Sequence, residues 1–160
     1  MNRRYLPSRD LPPYAFLPGK NPHPEKEGGH MQDVEVEVEI LDPNSALDNE
    51  DYIYGIDLFN NGFHWESHVW WEALWNKAGR KGAIADFLKG LIKIAAAGVK
   101  YRLGHQEATQ GHINRAIELI KLVESEVGED FCSLNLIQII ENLKELKLED
   151  GFSFTLNLTD

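Results

Sequence analysis

His64, His68 and Glu72 stand at successive four-residue steps within a segment, Phe59 to Trp75, that also holds Glu66 and all four tryptophans. Four residues is just over one helical turn, so a helix beginning near Phe63 stacks both imidazoles and the carboxylate along one face. Two imidazoles and a carboxylate are the ligand set of many open zinc sites, where a fourth position holds an activated water. The spacing therefore predicts a site for a divalent metal such as zinc, iron or manganese. Glu66 falls on nearly the opposite side of the same helix from His68. It enters as a candidate catalytic base acting from another face, not as a further ligand. Trp71 and Trp75 share the histidine sector, and with Lys93 they make a candidate ligand pocket.

The same residues also have a plainer use. A histidine among tryptophans can be a core histidine, and His68 with Glu66 or Glu72 forms a polar network that needs no metal. Trp65, Trp70, Trp71 and Trp75 spread around the helix, so it is either buried on most sides or partly an interface. Lys89, Lys93 and Lys100 form a stripe with Asp86 above them, which reads as a solvated face or as a site for an anionic ligand. His23 and His30 lie near the N-terminus, and His105 and His112 flank the start of a later helix, where surface or cap roles are expected. No Ser or Cys sits in a nucleophile elbow, and there is no phosphate loop or dinucleotide fingerprint.

The elements that must position these groups follow from the apolar period. Residues 1–32 contain six of the seven prolines, together with Tyr5, Leu11, Tyr14, Phe16 and Leu17. They are expected to form an extended arm laid on the body, since proline excludes helix and central strand. Val34 to Ile40 and Phe152 to Leu158 alternate apolar and polar residues, the pattern of half-buried strands, and are expected to pair as a small two-stranded ribbon. Between them the period is helical. Helices are predicted over about 46–60, 63–77, 83–102, 106–127 and 133–147, with short connections that favour antiparallel neighbours. The fold class is all-α: a compact bundle of about five helices over residues 33–160, with the arm packed against it.

The chain has 160 residues, enough for one domain with a real core, and a formal charge of -10. Nine acids and no Lys or Arg occupy residues 33–60, whereas residues 61–115 hold eight bases against four acids. The overall acidity argues against general nucleic-acid binding, which rests on phosphate neutralisation. No apolar run has the length of a membrane span. The single cysteine, Cys132, excludes an internal disulfide framework, and no signal peptide is evident. A cytoplasmic location is the expectation.

Leu58, Phe59, Asn60, Gly62, Glu66 and His68, then Trp71, Glu72, Leu74 and Trp75, then Gly90 to Ile92 and Ile94 to Ala97, fall in a pattern over about residues 50–122. It resembles the all-helical bacterial and archaeal family catalogued as domain of unknown function 309. The resemblance implies a helical bundle and carries a general label of predicted metal-dependent hydrolase, with Glu66, His68, Glu72 and Trp75 at motif positions. Two positions depart from the pattern: Val69 replaces its glutamate and Lys93 its glutamine. Each removes a polar group that a metal or substrate would use. Phe16 to Pro24, followed by Gly29 and His30, looks like an N-terminal extension seen in some members. Two functions therefore stand side by side. One is a metal-dependent hydrolase. The other is a non-catalytic binding or oligomerisation module for a small molecule or peptide, in which the His/Glu/Trp cluster is structural.

Overall fold

A computed structural model describes residues 2–21 and 36–159. Among the described residues there are five α-helices: α1 (Glu50–Asn60), α2 (His64–Lys77), α3 (Ala83–Arg102), α4 (Gln106–Val127) and α5 (Leu136–Glu145). Each packs on the next, and α3 lies between α2 and α4. The connections are tight turns at Gly62, Gly79 and Gly104, all with positive φ that suits glycine. The arrangement is the expected helical bundle.

The first and last helices are shorter than the apolar period suggests, because caps cut in. Asp42 accepts the Asn44 N–H and starts a 3-10 turn at Pro43–Asp48. Asn49 then accepts the Tyr52 N–H at 3.0 Å and opens α1. Asn135 opens α5 in the same way through the Gln138 N–H.

The core runs through the bundle and contains Tyr52, Phe59, Trp71, Phe87, Leu91 and Ile94, all at most 1% exposed. Close helix approach depends on glycines, two of them packed against α2. A Cβ at Gly55 on α1 would fall 2.3 Å from the Trp71 Nε1, and one at Gly98 on α3 would fall 2.5 Å from the His64 ring. No helix among the described residues is long and apolar enough to cross a membrane.

The two-stranded ribbon is elsewhere than expected. It joins β1 (Asp130–Phe131) to β2 (Leu134–Asn135) as an antiparallel pair. Cys132 and Ser133 turn it with φ of 50° and 59°, the geometry of a primed two-residue hairpin loop. Residues 36–40 and 152–158 carry no strand, and 34–35 lie outside the described residues. The reason is visible at Leu156. Its N–H donates to the Asn60 Oδ1 at 2.8 Å, and its carbonyl accepts from the Asn60 Nδ2 at 2.7 Å. One side-chain amide thus does the hydrogen bonding that a partner strand would supply. Phe154 and Leu156 are buried as the alternation predicts, against helices instead of a ribbon.

Residues 2–21 run across α1 and α2. Val36 and Val38 join Leu6 and Leu11 around Tyr54, Leu58 and Trp70, a second apolar cluster beside the main core.

Candidate functional site

The i, i+4 stripe drifts as it climbs α2. Each four-residue step turns about 40° past a full circle, so His64 and Glu72 point about 80° apart. That drift separates the three residues proposed to share an ion. His64 turns inward against Gly98 of α3, with its ring 5.0 Å from Phe59 and 5.6 Å from Phe152. Its Nδ1 is sealed and has no hydrogen-bond partner among the described residues. Burial, followed by the Arg102 charge, lowers its pKa to about 4, so the imidazole is neutral near pH 7.

His68 and Glu72 stay together at the half-exposed edge. The His68 Nε2 lies 3.8 Å from the Glu72 Oε2. The His68 Nδ1–H donates to the Trp65 carbonyl, which leaves the Nε2 edge turned toward the Glu72 carboxylate. No group of three or more His, Cys, Asp or Glu able to hold a metal ion occurs among the described residues. His23 and His30, the arm histidines, lie outside the described residues.

Glu66 is 1% exposed, on the α2 face that meets the arm. Its Oε2 accepts the Phe16 N–H at 2.8 Å, and the Phe16 ring packs edge-on against Trp65 at 5.0 Å. The residue proposed as a base therefore binds the backbone of the arm.

Asp57 on α1 does the same, a role that the residue pattern did not single out. It is fully buried and accepts the Tyr5 N–H and the Leu6 N–H, each at 2.8 Å, and the Arg4 Nε at 3.0 Å. Arg4 continues to the Leu6 and Arg9 carbonyls and shapes the arm into a turn. Arg9 stacks over the Tyr54 ring at 4.1 Å and the Trp70 ring at 4.5 Å, and its Nη1 meets the Asp51 Oδ1 at 2.8 Å. The Tyr54 hydroxyl donates to the Asp10 carbonyl at 2.6 Å. The sequence signalled this groove through the surplus of tryptophan on α2 and through the apolar residues set among the prolines of the arm.

The proposed Trp71, Trp75 and Lys93 pocket is divided among three places. Trp71 is completely buried against Gly55, with its Nε1 unpartnered among the described residues. Trp75 is half-buried between Arg80 and Lys89, at 5.3 Å and 5.6 Å from its ring centre. Lys93 faces α4, where its charge, after burial, helps lower the pKa of His112.

Comparison with known families decides the class of this segment. The family described as Domain of unknown function (DUF309) matches residues 52–111. Over residues 52–111 the chain is therefore similar to that family. The match takes in most of α1, all of α2 and α3 and the start of α4, and with them the buried carboxylates Asp57 and Glu66. Residues 2–21, which those carboxylates hold, fall outside the match. No curated protein matches the chain.

Proposed function

We propose that the protein is a non-catalytic binding module whose α1–α2 groove holds an extended peptide, with its own residues 4–16 as the occupant in this chain. The observation that carries this reading is the use of two buried carboxylates, Asp57 and Glu66, to accept main-chain N–H groups of the arm. Main-chain N–H groups belong to any peptide, so this grip is not tied to one side-chain sequence. Specificity comes from the flanking slots: Tyr54 and Trp70 take an arginine, and Trp65 takes an aromatic ring. In this reading the His/Glu/Trp cluster shapes the groove, and the protein works in a reducing cytoplasm with its one thiol, Cys132, buried.

The test uses the full chain. Arg9→Ala with Phe16→Ala loosens the arm without touching the two carboxylates. A labelled synthetic peptide of residues 2–21 is expected to bind this variant in trans, where the tethered wild-type arm excludes it. Binding is expected to vanish when Asp57→Asn and Glu66→Gln are added. A loosened chain that stays folded by circular dichroism yet ignores the peptide would overturn the reading.

A metal-dependent hydrolase is the second reading, favoured by the His68 and Glu72 side chains that meet at the surface, Nε2 to Oε2 at 3.8 Å. Catalytic zinc sites use three protein ligands, and the described residues bring two together here. Stoichiometric zinc, iron or manganese in protein purified without a histidine tag, lost in both His68→Ala and Glu72→Ala, would put this reading first.

A further inference from the structure

Lys93 and Lys100 lie seven residues apart on α3, so they share a face and are separated by about 10 Å along the axis. The register of α4 against this face follows from Gly90, whose Cβ would meet the Ile120 Cγ1 at 2.8 Å and the Leu119 Cβ at 3.7 Å. Running antiparallel from that crossing, His112 comes level with the midpoint between the two lysines. Its lowered pKa agrees: after burial, the causes are the charges of Lys93 and then Lys100. The floor between these groups is small. Ala96 lies between the lysines and Ala108 one turn before His112, both partly exposed.

The three groups lack a counter-charge. Among the described residues no carboxylate lies within ion-pair distance of Lys93 or Lys100, and Glu118 is taken by Arg115 at 3.0 Å. His112 has Thr109, Arg115, Ala108 and Ala116 at its own three- and four-residue neighbours, so no acid supports it along α4. This triangle of bases stands in a chain of net charge -10, where an acid is the commoner surface group. Two ammonium groups around a half-buried imidazole repel one another, and a bound anion relieves that repulsion.

We propose that the α3–α4 saddle bounded by Lys93, Lys100 and His112 is a binding site for a small polyanion, one carrying phosphoryl or clustered carboxylate groups. The site lies outside the α1–α2 groove and is independent of what that groove holds. The two lysines supply point charges, and the imidazole takes up a proton when the anion arrives, adding a third charge-assisted donor.

The probes are pyrophosphate and citrate, each compared with sodium chloride at equal ionic strength. The readout is the His112 ring proton by NMR across a pH titration. Binding is expected to raise the His112 midpoint by about half a unit or more, because an adjacent anion favours imidazolium. Lys93→Gln with Lys100→Gln is expected to weaken binding about tenfold or more. Lys77→Gln with Lys81→Gln, at exposed positions at the end of α2 and on the loop after it, is expected to leave it unchanged. A response to pyrophosphate alone assigns phosphoryl groups, and a response to citrate alone assigns carboxylates. No shift with either probe overturns the proposal, as does an equal loss in the two lysine pairs, which would mean general charge attraction.

Discussion

His64 shows how a residue that looks like a ligand is converted into packing. Its unfolded pKa is near 6.5, and its folded value is about 4. Below pH 6.5 the unfolded chain takes up a proton that the folded chain refuses, so stability drops as pH falls from about 6.5 to about 4. Above pH 6.5 the imidazole is neutral in both states and contributes no slope. The full loss is up to ~3 kcal/mol, from ~1.4 kcal/mol per unit. Urea unfolding across this range should show the decline, and His64→Phe should flatten it. Gly55 gives a second test at this scale. Gly55→Ala drives a methyl into Trp71 and should cost about 1–3 kcal/mol, the usual overpacking range. Trp71→Phe should recover part of that cost in a double-mutant cycle read by urea unfolding. The stepping of His64, His68 and Glu72 was readable from the sequence, and so was their helix. The 40° drift per step was also implicit, but which end of the stripe meets a neighbour depends on Gly98 of α3, a contact between residues far apart in the chain.

At the scale of elements, the helices were the readable part, because an apolar period is a local signal. α3 and α4 fall on the expected bounds, 83–102 and 106–127. The ribbon was not readable, because its loop residues, Cys132 and Ser133, are not the glycine or asparagine that usually take positive φ. The alternation in residues 152–158 correctly marked buried Phe154 and Leu156, but period two says only that one face is covered, not by what. The arm is the element with the sharpest prediction. Asp57→Ala removes the acceptor for three donors. The cost should stop short of the ~3–5 kcal/mol of a broken buried pair, because the arm can leave for water and solvate its own N–H groups. Trypsin should then cut at Arg4 and Arg9 while the helical circular dichroism is retained. Loss of the helical signal together with the arm would show that the two are not separable elements.

Across the whole molecule, Asn60 joins parts that are far apart in sequence. Its side chain brackets Leu156, and its carbonyl accepts from the Asn2 side chain. The Leu158 N–H adds a bond to the Tyr5 hydroxyl at 3.2 Å, and the Thr159 N–H one to the Ser133 carbonyl at 2.8 Å. Replacing Asn60 with alanine strands two buried backbone groups at about 1–3 kcal/mol each. Hydrogen exchange at residues 154–158 should accelerate well before global unfolding. The charge asymmetry of the chain was plain from composition, yet its consequence at Lys93, Lys100 and His112 required the crossing of α3 and α4.

The four indoles sit in four different surroundings, and Arg9 stacks directly on one of them, Trp70. Lifting the guanidinium exposes that ring to solvent, whereas Trp71 stays sealed beneath Gly55. The emission spectrum of the native protein therefore carries a built-in gauge: a red shift confined to part of the signal reports arm undocking, and a shift of the whole band reports melting of the core.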